Sequence, residues 1–302
     1  MLSRPVGARA TLGGVWLPWQ ASAVLAIIVA ISTLPAPHAS GTWSSVRPFL
    51  RELSFVLVLY SIWQFLGSIG TVREESGFVN GRTVLDIERT FHIANEAAIE
   101  RWFLPHSWLV QASNGYYAIV HGPALIVFLV WLFVRHRPAY PKVRNTVVWV
   151  TGICLGMHFL AVAPPRLYPE LGFVDTAKVY GQSVYGTVGQ GLSDQMSAMP
   201  SVHVAWALIV GFGVVQFSTS RWRWLALLHT VATCIVVVAT ANHWWLDGIV
   251  AALILAAVVL VQRGIGRARR HHDDRSDDRA PAVVGVDDDE QPREPLGLAN
   301  RS

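Results

Sequence analysis

Charge is what this chain has least of. Of 302 residues only 15% are Asp, Glu, Lys or Arg, while 52% are hydrophobic. An average soluble domain carries about 25% charged residues. The deficit, with a mean hydropathy of +0.39, excludes an ordinary water-soluble domain and points to an integral membrane protein. Cysteine is nearly absent too. Cys154 and Cys234 both fall inside apolar runs, which reads them as small buried hydrophobes and leaves no disulfide framework. The net charge of +4 comes without a stripe of basic residues interleaved with aromatics, so nucleic acid is not an expected partner. No internal repeat is visible.

Long apolar runs are abundant. They lie at about 15–35, 53–71, 113–134, 146–163, 202–219, 222–241 and 244–262, each near the ~20 residues that span a bilayer. In lipid such runs must be helices, because a lone strand leaves its backbone polar groups unsatisfied. The expected fold is therefore all-α, a polytopic membrane helical bundle. The first run follows Arg4 and Arg9 and precedes Ala36-Pro-His-Ala39. It is long for a signal h-region, so residues 1–52 are expected to carry an added membrane helix rather than a cleaved signal. Residues 53–265 form the membrane domain, and 266–302, acidic and aperiodic from His271 onward, a disordered cytoplasmic tail. Many of the thirteen tryptophans stand at run ends (Trp16, Trp19, Trp102, Trp108, Trp222, Trp224, Trp244, Trp245), as interfacial anchors do.

Four basic clusters set the orientation: Arg47 and Arg51, Arg135 to Arg144, Arg221 and Arg223, and Arg263 to Arg270. The positive-inside rule assigns them to the cytoplasm. Counting spans then puts loop 164–200 and the turn near 242 on the extracytoplasmic face. Segment 81–104 is amphipathic, with Val84, Leu85, Ile87, Phe91, Ala94, Ala98 and Phe103 at mostly helical spacing. It predicts one helix on the outer interface or a lid packed over the bundle.

Three polar motifs share that outer face. In Asn242-His-Trp-Trp-Leu-Asp247, His243 and Asp247 are four apart and face the same way on a helix. A carboxylate there fixes the imidazole tautomer and favours its charged form, as an activated histidine nucleophile or base requires. Taken alone, the pair reads equally as a structural ion pair. In Met199-Pro-Ser-Val-His203, Pro200 suits a helix start, and Ser201 offers a hydroxyl and a free N–H at a helix N-terminus. Ser201 reads equally as an ordinary cap. His203 is placed to pass a proton to a departing oxygen. In Ala163-Pro-Pro-Arg166, a stiffly held arginine suits fork-like phosphate recognition, or snorkelling. Together the motifs describe a phosphate clamp with two histidines and one carboxylate. Zinc on His203, His243 and Asp247 is the weaker reading, because the arginine and the helix end call for an anion.

These motifs, in this order and each at the end of a span, resemble the type 2 phosphatidic acid phosphatase superfamily. The nearest branch resembles the inositol phosphorylceramide synthase, or inositolphosphotransferase, group. The branch features are Val202 in place of the superfamily's Gly, Pro164-Pro165-Arg166 before Gly172-Phe-Val-Asp-Thr176, Asn114-Gly-Tyr-Tyr117 followed by His121, and Ala198-Met-Pro-Ser201. The resemblance covers about residues 80–265. It implies a six-helix core plus an extra N-terminal helix, in the inner membrane with the site outside. It also implies that His243 attacks phosphorus to form a phosphohistidine, that Asp247 orients and charges it, and that His203 handles the leaving-group and acceptor protons. Arg166 and Ser201 hold phosphoryl oxygens, with no cofactor and no metal. The implied partner is a lipid phosphate.

Two superfamily cations are missing. The Lys seven residues before Arg166 is Phe159, and the Arg six residues before His243 is Val237. Tyr117, Lys178 and Tyr168 are the expected substitutes, with His121 and His158 as further candidates. The losses weigh against a generic phosphatase more than against a transferase. Glycines 181, 186, 189 and 191 predict a flexible lid. A transporter is the distant alternative, since the polar groups lie at one face and not in a chain through the midplane.

Overall fold

The computed structural model describes residues 17–34, 41–69, 74–180 and 196–277. Among these there are eleven α-helices and no β-strand, in keeping with an all-α membrane bundle. The helices are α1 (Trp19–Ser32), α2 (Gly41–Ile69), α3 (Glu74–Thr90), α4 (Glu96–Phe103), α5 (Ser107–Ile119), α6 (His121–Arg135), α7 (Tyr140–Met157), the single turn α8 (Thr176–Val179), α9 (Val202–Phe217), α10 (Ala226–Ala239) and α11 (Trp245–Asp277). By length and composition, Arg221–Ala239 and Trp245–Arg270 suffice to cross a membrane, and α5 with α6 suffices as one bent span. Helices α1 and α9 are apolar but shorter. Trp16, the lid glycines and residues 278–302 lie outside the described residues.

The 48° bend between α5 and α6 has a local cause. Pro123 has no N–H to donate to Ile119, so the hydrogen-bond ladder breaks where the bend falls. Proline is tolerated there because it sits in the first turn of α6.

The predicted single helix over 81–104 is two helices. Helix α3 closes with His92 at φ 53, His92 N–H donating to the Arg89 carbonyl and Ile93 N–H to Glu88. That pairing is a left-handed C-terminal cap. Asn95 then caps α4 by accepting from Ala98 N–H at 3.3 Å. Helix α11 also runs further than expected. It continues to Asp277 through Arg267-Ala-Arg-Arg270, residues of good helix propensity, where a disordered tail was expected from 266. One compact unit ends at Val259, and a second begins at Leu260 within this helix.

Packing in the bundle relies on close approach. A Cβ on Gly213 would collide with the Phe128 ring of α6, and one on Gly211 with Thr230 of α10. Thr230 donates to the Ala207 carbonyl at 2.8 Å across that contact. Small residues at such crossings let helices pack without a hydrophobic drive from lipid. Around them sit Leu132, Val150, Cys154, Ala205 and Ala251, all buried. Cys154 is fully buried and Cys234 half-buried, both as free thiols. Glu52 of α2 receives Arg144 of α7 at 2.7 Å, a half-buried pair.

A second apolar cluster sits at the end of the bundle that carries the motifs. It joins Val84, Ala163, Tyr168, Phe173, Met196, Ala198 and Trp244. Trp244 is therefore no interfacial anchor: it is 1% exposed and donates from Nε1 to the Ala163 carbonyl at 3.0 Å. Trp102, Trp108, Trp222 and Trp224 are exposed, as anchors would be. A Cβ on Gly81 would strike the Tyr168 hydroxyl and lie 2.7 Å from the Ala163 carbonyl. Gly81→Ala is therefore expected to lose stability by about 1–3 kcal/mol, read as a lower thermal midpoint. Gly115→Ala, where the added Cβ meets nothing within 4 Å, should leave the midpoint unchanged or raise it.

Candidate active site

The site is assembled from short connections braced against one another. Residues 161–163 and 196–198 pair as one isolated parallel bridge, Val162 with Ser197. Ala198 N–H donates to the Val162 carbonyl at 3.0 Å, and Ala163 N–H to Gly77 of α3 at 2.9 Å. The bracing fixes the Ala198 carbonyl, and that carbonyl receives Nδ1 of His243 at 2.7 Å. Asp247 Oδ2 lies 3.3 Å from the same nitrogen and accepts Trp244 N–H at 2.8 Å. Asp247 thus shares the orienting role with a main-chain oxygen, which makes the shorter contact.

With Nδ1–H committed, the His243 lone pair is on Nε2. That nitrogen is buried and has no hydrogen-bond partner among the described residues. Burial pushes the pKa of His243 down to about 4, and the nearby Arg166 guanidinium also lowers it. The imidazole is neutral at pH 7, the state a nucleophile needs, rather than the charged form expected from its carboxylate neighbour. His203, in the first turn of α9, has its ring centroid 5.7 Å from that of His243.

Arg166 is 5% exposed and held in three places among the described residues. Its backbone N–H donates to the Ala241 carbonyl at 2.9 Å, Nη1 donates to Asn242 Oδ1 at 2.9 Å, and Nε lies 3.9 Å from Asp175 Oδ2. Asp175 is itself placed by its neighbours. Glu100 of α4 accepts Val174 N–H at 3.1 Å, and Thr176 donates to Asn114 of α5 at 3.1 Å. Ser201 caps α9, accepting Val204 N–H at 3.3 Å. Its own N–H donates to the Asp247 carbonyl at 3.2 Å. The expectation of a free Ser201 N–H fails for that reason, and only the hydroxyl proton is left to offer.

The candidate substitutes for the missing cations separate clearly. Tyr117 joins the site, with its ring 4.5 Å from His203 and 6.3 Å from His243. His121 stands behind His203 at 4.8 Å, edge to face. Lys178 is exposed and forms no ion pair among the described residues. Tyr168 is fully buried and spends its hydroxyl on the Phe78 carbonyl at 2.8 Å, so it pins α3 and is not a phosphate donor. The His158 side chain lies outside the described residues. No group of three His, Cys, Asp or Glu suited to a metal ion occurs among the described residues.

An arginine, a helix-capping serine and two histidines at one end of an apolar bundle match a known pattern. The family model described as PAP2 superfamily matches residues 82–261. The chain belongs to the PAP2 superfamily. No curated protein and no solved structure matches it. As a PAP2 protein it is a membrane enzyme of the phosphatase and phosphotransferase class.

Within that PAP2 frame, the positions of the two lost cations carry no hidden charge. Phe159 is 64% exposed, and Val237 is buried beside Tyr117 and Val204. Two contributors escaped the sequence reading. Asn242 and Asp175 grip Arg166, and both lie inside stretches that were singled out for their neighbours. A side chain capable of holding an arginine, one residue before a key histidine, was the available signal. Glu88 and Glu96 left no such signal, because charges on an amphipathic segment read as solvated.

Proposed function

We propose that this enzyme transfers a phosphoryl-linked head group from a lipid donor to an alcohol, in the manner of an inositolphosphotransferase. The site would face the extracytoplasmic side of the inner membrane. The observation that carries this reading is the charge of the phosphate site. Arg166 is the cation that lines it among the described residues, with Phe159 and Val237 where the wider superfamily has Lys and Arg. A phosphodiester carries one negative charge and is matched by one guanidinium. A phosphomonoester dianion would keep an uncompensated charge in a poorly screened place.

In this reading His243 Nε2 attacks phosphorus. The bond from phosphorus to the lipid alkoxide breaks, and His203 protonates that oxygen as it leaves. The head group is then held through phosphorus on His243. An acceptor hydroxyl gives its proton to His203 and attacks phosphorus, restoring neutral His243. Arg166, with the Ser201 and Tyr117 hydroxyls, balances the charge on the non-bridging oxygens. Asp247 and the Ala198 carbonyl keep the proton on Nδ1 throughout.

The test is a panel of lipid phosphates supplied to the purified protein in EDTA, with and without inositol and lipid alcohols. Consumption of a phosphodiester donor only when an acceptor is present, with a new lipid formed, is the expected result. Faster release of inorganic phosphate from phosphatidic acid would establish the water-accepting phosphatase instead. Loss of activity in EDTA, restored by zinc, would overturn the metal-free chemistry.

A further inference from the structure

Three successive backbone N–H groups open α11, and each is received by a carboxylate from a different place. Trp244 N–H goes to Asp247 Oδ2 at 2.8 Å, Trp245 N–H to Glu96 Oε1 at 3.4 Å, and Leu246 N–H to Glu88 Oε1 at 2.7 Å. The first N–H groups of a helix have no partner within it, and one capping side chain usually serves them. Here two of the three acceptors come from α3 and α4. Glu88 is 2% and Glu96 3% exposed, although glutamate is almost never fully buried unless paired. Neither forms an ion pair among the described residues. They accept the N–H groups of two successive residues, which sets the two carboxyl groups side by side, and the second oxygen of Glu88 is buried with no hydrogen-bond partner among the described residues.

We propose that Glu88 and Glu96 are positioning residues for the transfer. As adjacent carboxyl acceptors they hold the first turn of α11, and through it Asp247 and His243, in the reactive geometry. The proposal rests on the reading of His243 as the nucleophile. The pair lies next to His243 in the chain's hydrogen bonding, because the residue that Glu96 caps directly follows Trp244 and the one that Glu88 caps directly precedes Asp247. Charged groups close by are Asp247 on α11, Arg89 on α3 and Arg101 on α4. The two arginines line an adjoining pocket of about 160 Å³ together with both glutamates.

A pH dependence follows. Burial, then the adjoining Glu96 carboxyl and the charge of Asp247, push the Glu88 carboxyl up to about 9. Glu88 therefore keeps its proton at neutral pH and loses it as pH rises through that value. Two adjacent anions beside Asp247 then repel, and the head of α11 loses two of its three acceptors.

The experiment is kcat and KM against pH for the wild type, Glu88→Gln, Glu88→Ala and His243→Ala. Wild-type kcat should fall above pH ~9. Glu88→Gln has no proton to lose, and its carbonyl still accepts from Leu246, so kcat should hold through that limb. Glu88→Ala should lose kcat on the order of 10²-fold at neutral pH, since small misplacements cost that much, while KM changes little. An alkaline limb in Glu88→Gln identical to that of the wild type, or wild-type kcat in Glu88→Ala, would overturn the role. Should Glu88→Ala not fold, the limb in Glu88→Gln decides alone. A carboxylic-acid C=O band present in the wild-type infrared spectrum and lost in Glu88→Gln supports a protonated Glu88 without reference to turnover, and its absence from the wild type overturns it. Retained activity in His243→Ala would strike the transfer reading itself and not the carboxyl pair.

Discussion

His243→Ala is expected to lower turnover by about 10⁴-fold or more, the scale on which removal of a nucleophile acts. The reason is geometric. The Nδ1 proton of His243 is held between the Ala198 carbonyl at 2.7 Å and Asp247 at 3.3 Å, so Nε2 is the only nitrogen left to attack. His203→Ala should differ in kind. With a donor whose leaving group needs no proton, such as an aryl phosphodiester, much of its deficit should vanish, because protonation is the role proposed for His203. His243→Ala should gain nothing from that donor. Burst kinetics and alkaline trapping of a labelled protein intermediate provide the measurement. Equal rescue of both variants would remove the distinction between nucleophile and acid.

Arg166 carries the second large effect. Arg166→Ala should lower kcat by about 10²–10³-fold, the range for loss of one donor to a developing oxyanion. Arg166→Lys should recover only part of this. Lysine restores the charge but not the fork that donates to Asn242 at 2.9 Å while approaching Asp175 at 3.9 Å, and the two residues are not interchangeable at such sites. Asn242→Ala, which leaves the guanidinium in place, should fall between them. If lysine performs as well as arginine, the site uses a bare charge and the orienting role of Asn242 and Asp175 is void.

The bundle and the meeting of its motifs were legible because they depend on periodicity and chain order. Apolar runs of span length marked α9, α10 and α11, and counting basic loops brought Arg166, Ser201, His203 and His243 to one end. What escaped depends on tertiary contact. Helices α3 and α4 read as one because the left-handed turn at His92 lacks a glycine to announce it. Glu88 is four residues from the buried Val84 and shares its face, yet a carboxylate on an amphipathic helix is ordinarily solvated. Tyr168 and Ser201 were read by functional-group chemistry alone, and their partners, the Phe78 and Asp247 carbonyls, are main-chain oxygens that no composition reveals. Trp244 sat at a run end like the anchors, and only packing against Ala163, Tyr168 and Phe173 separates it from them.

The last of those lessons bears on His243, the proposed nucleophile. The strongest contact to the His243 ring is made by the Ala198 carbonyl, an atom that every amino acid carries. A scan that replaces side chains one at a time will pass over position 198, because no substitution there deletes the oxygen. The tautomer of His243 is in that sense encoded by the path of the backbone. It tolerates drift in residue type and is sensitive to anything that shifts the pairing of Val162 with Ser197. Backbone ester substitution at that pairing, which weakens one hydrogen bond and changes no side chain, would reach a control on reactivity that conventional mutagenesis does not touch.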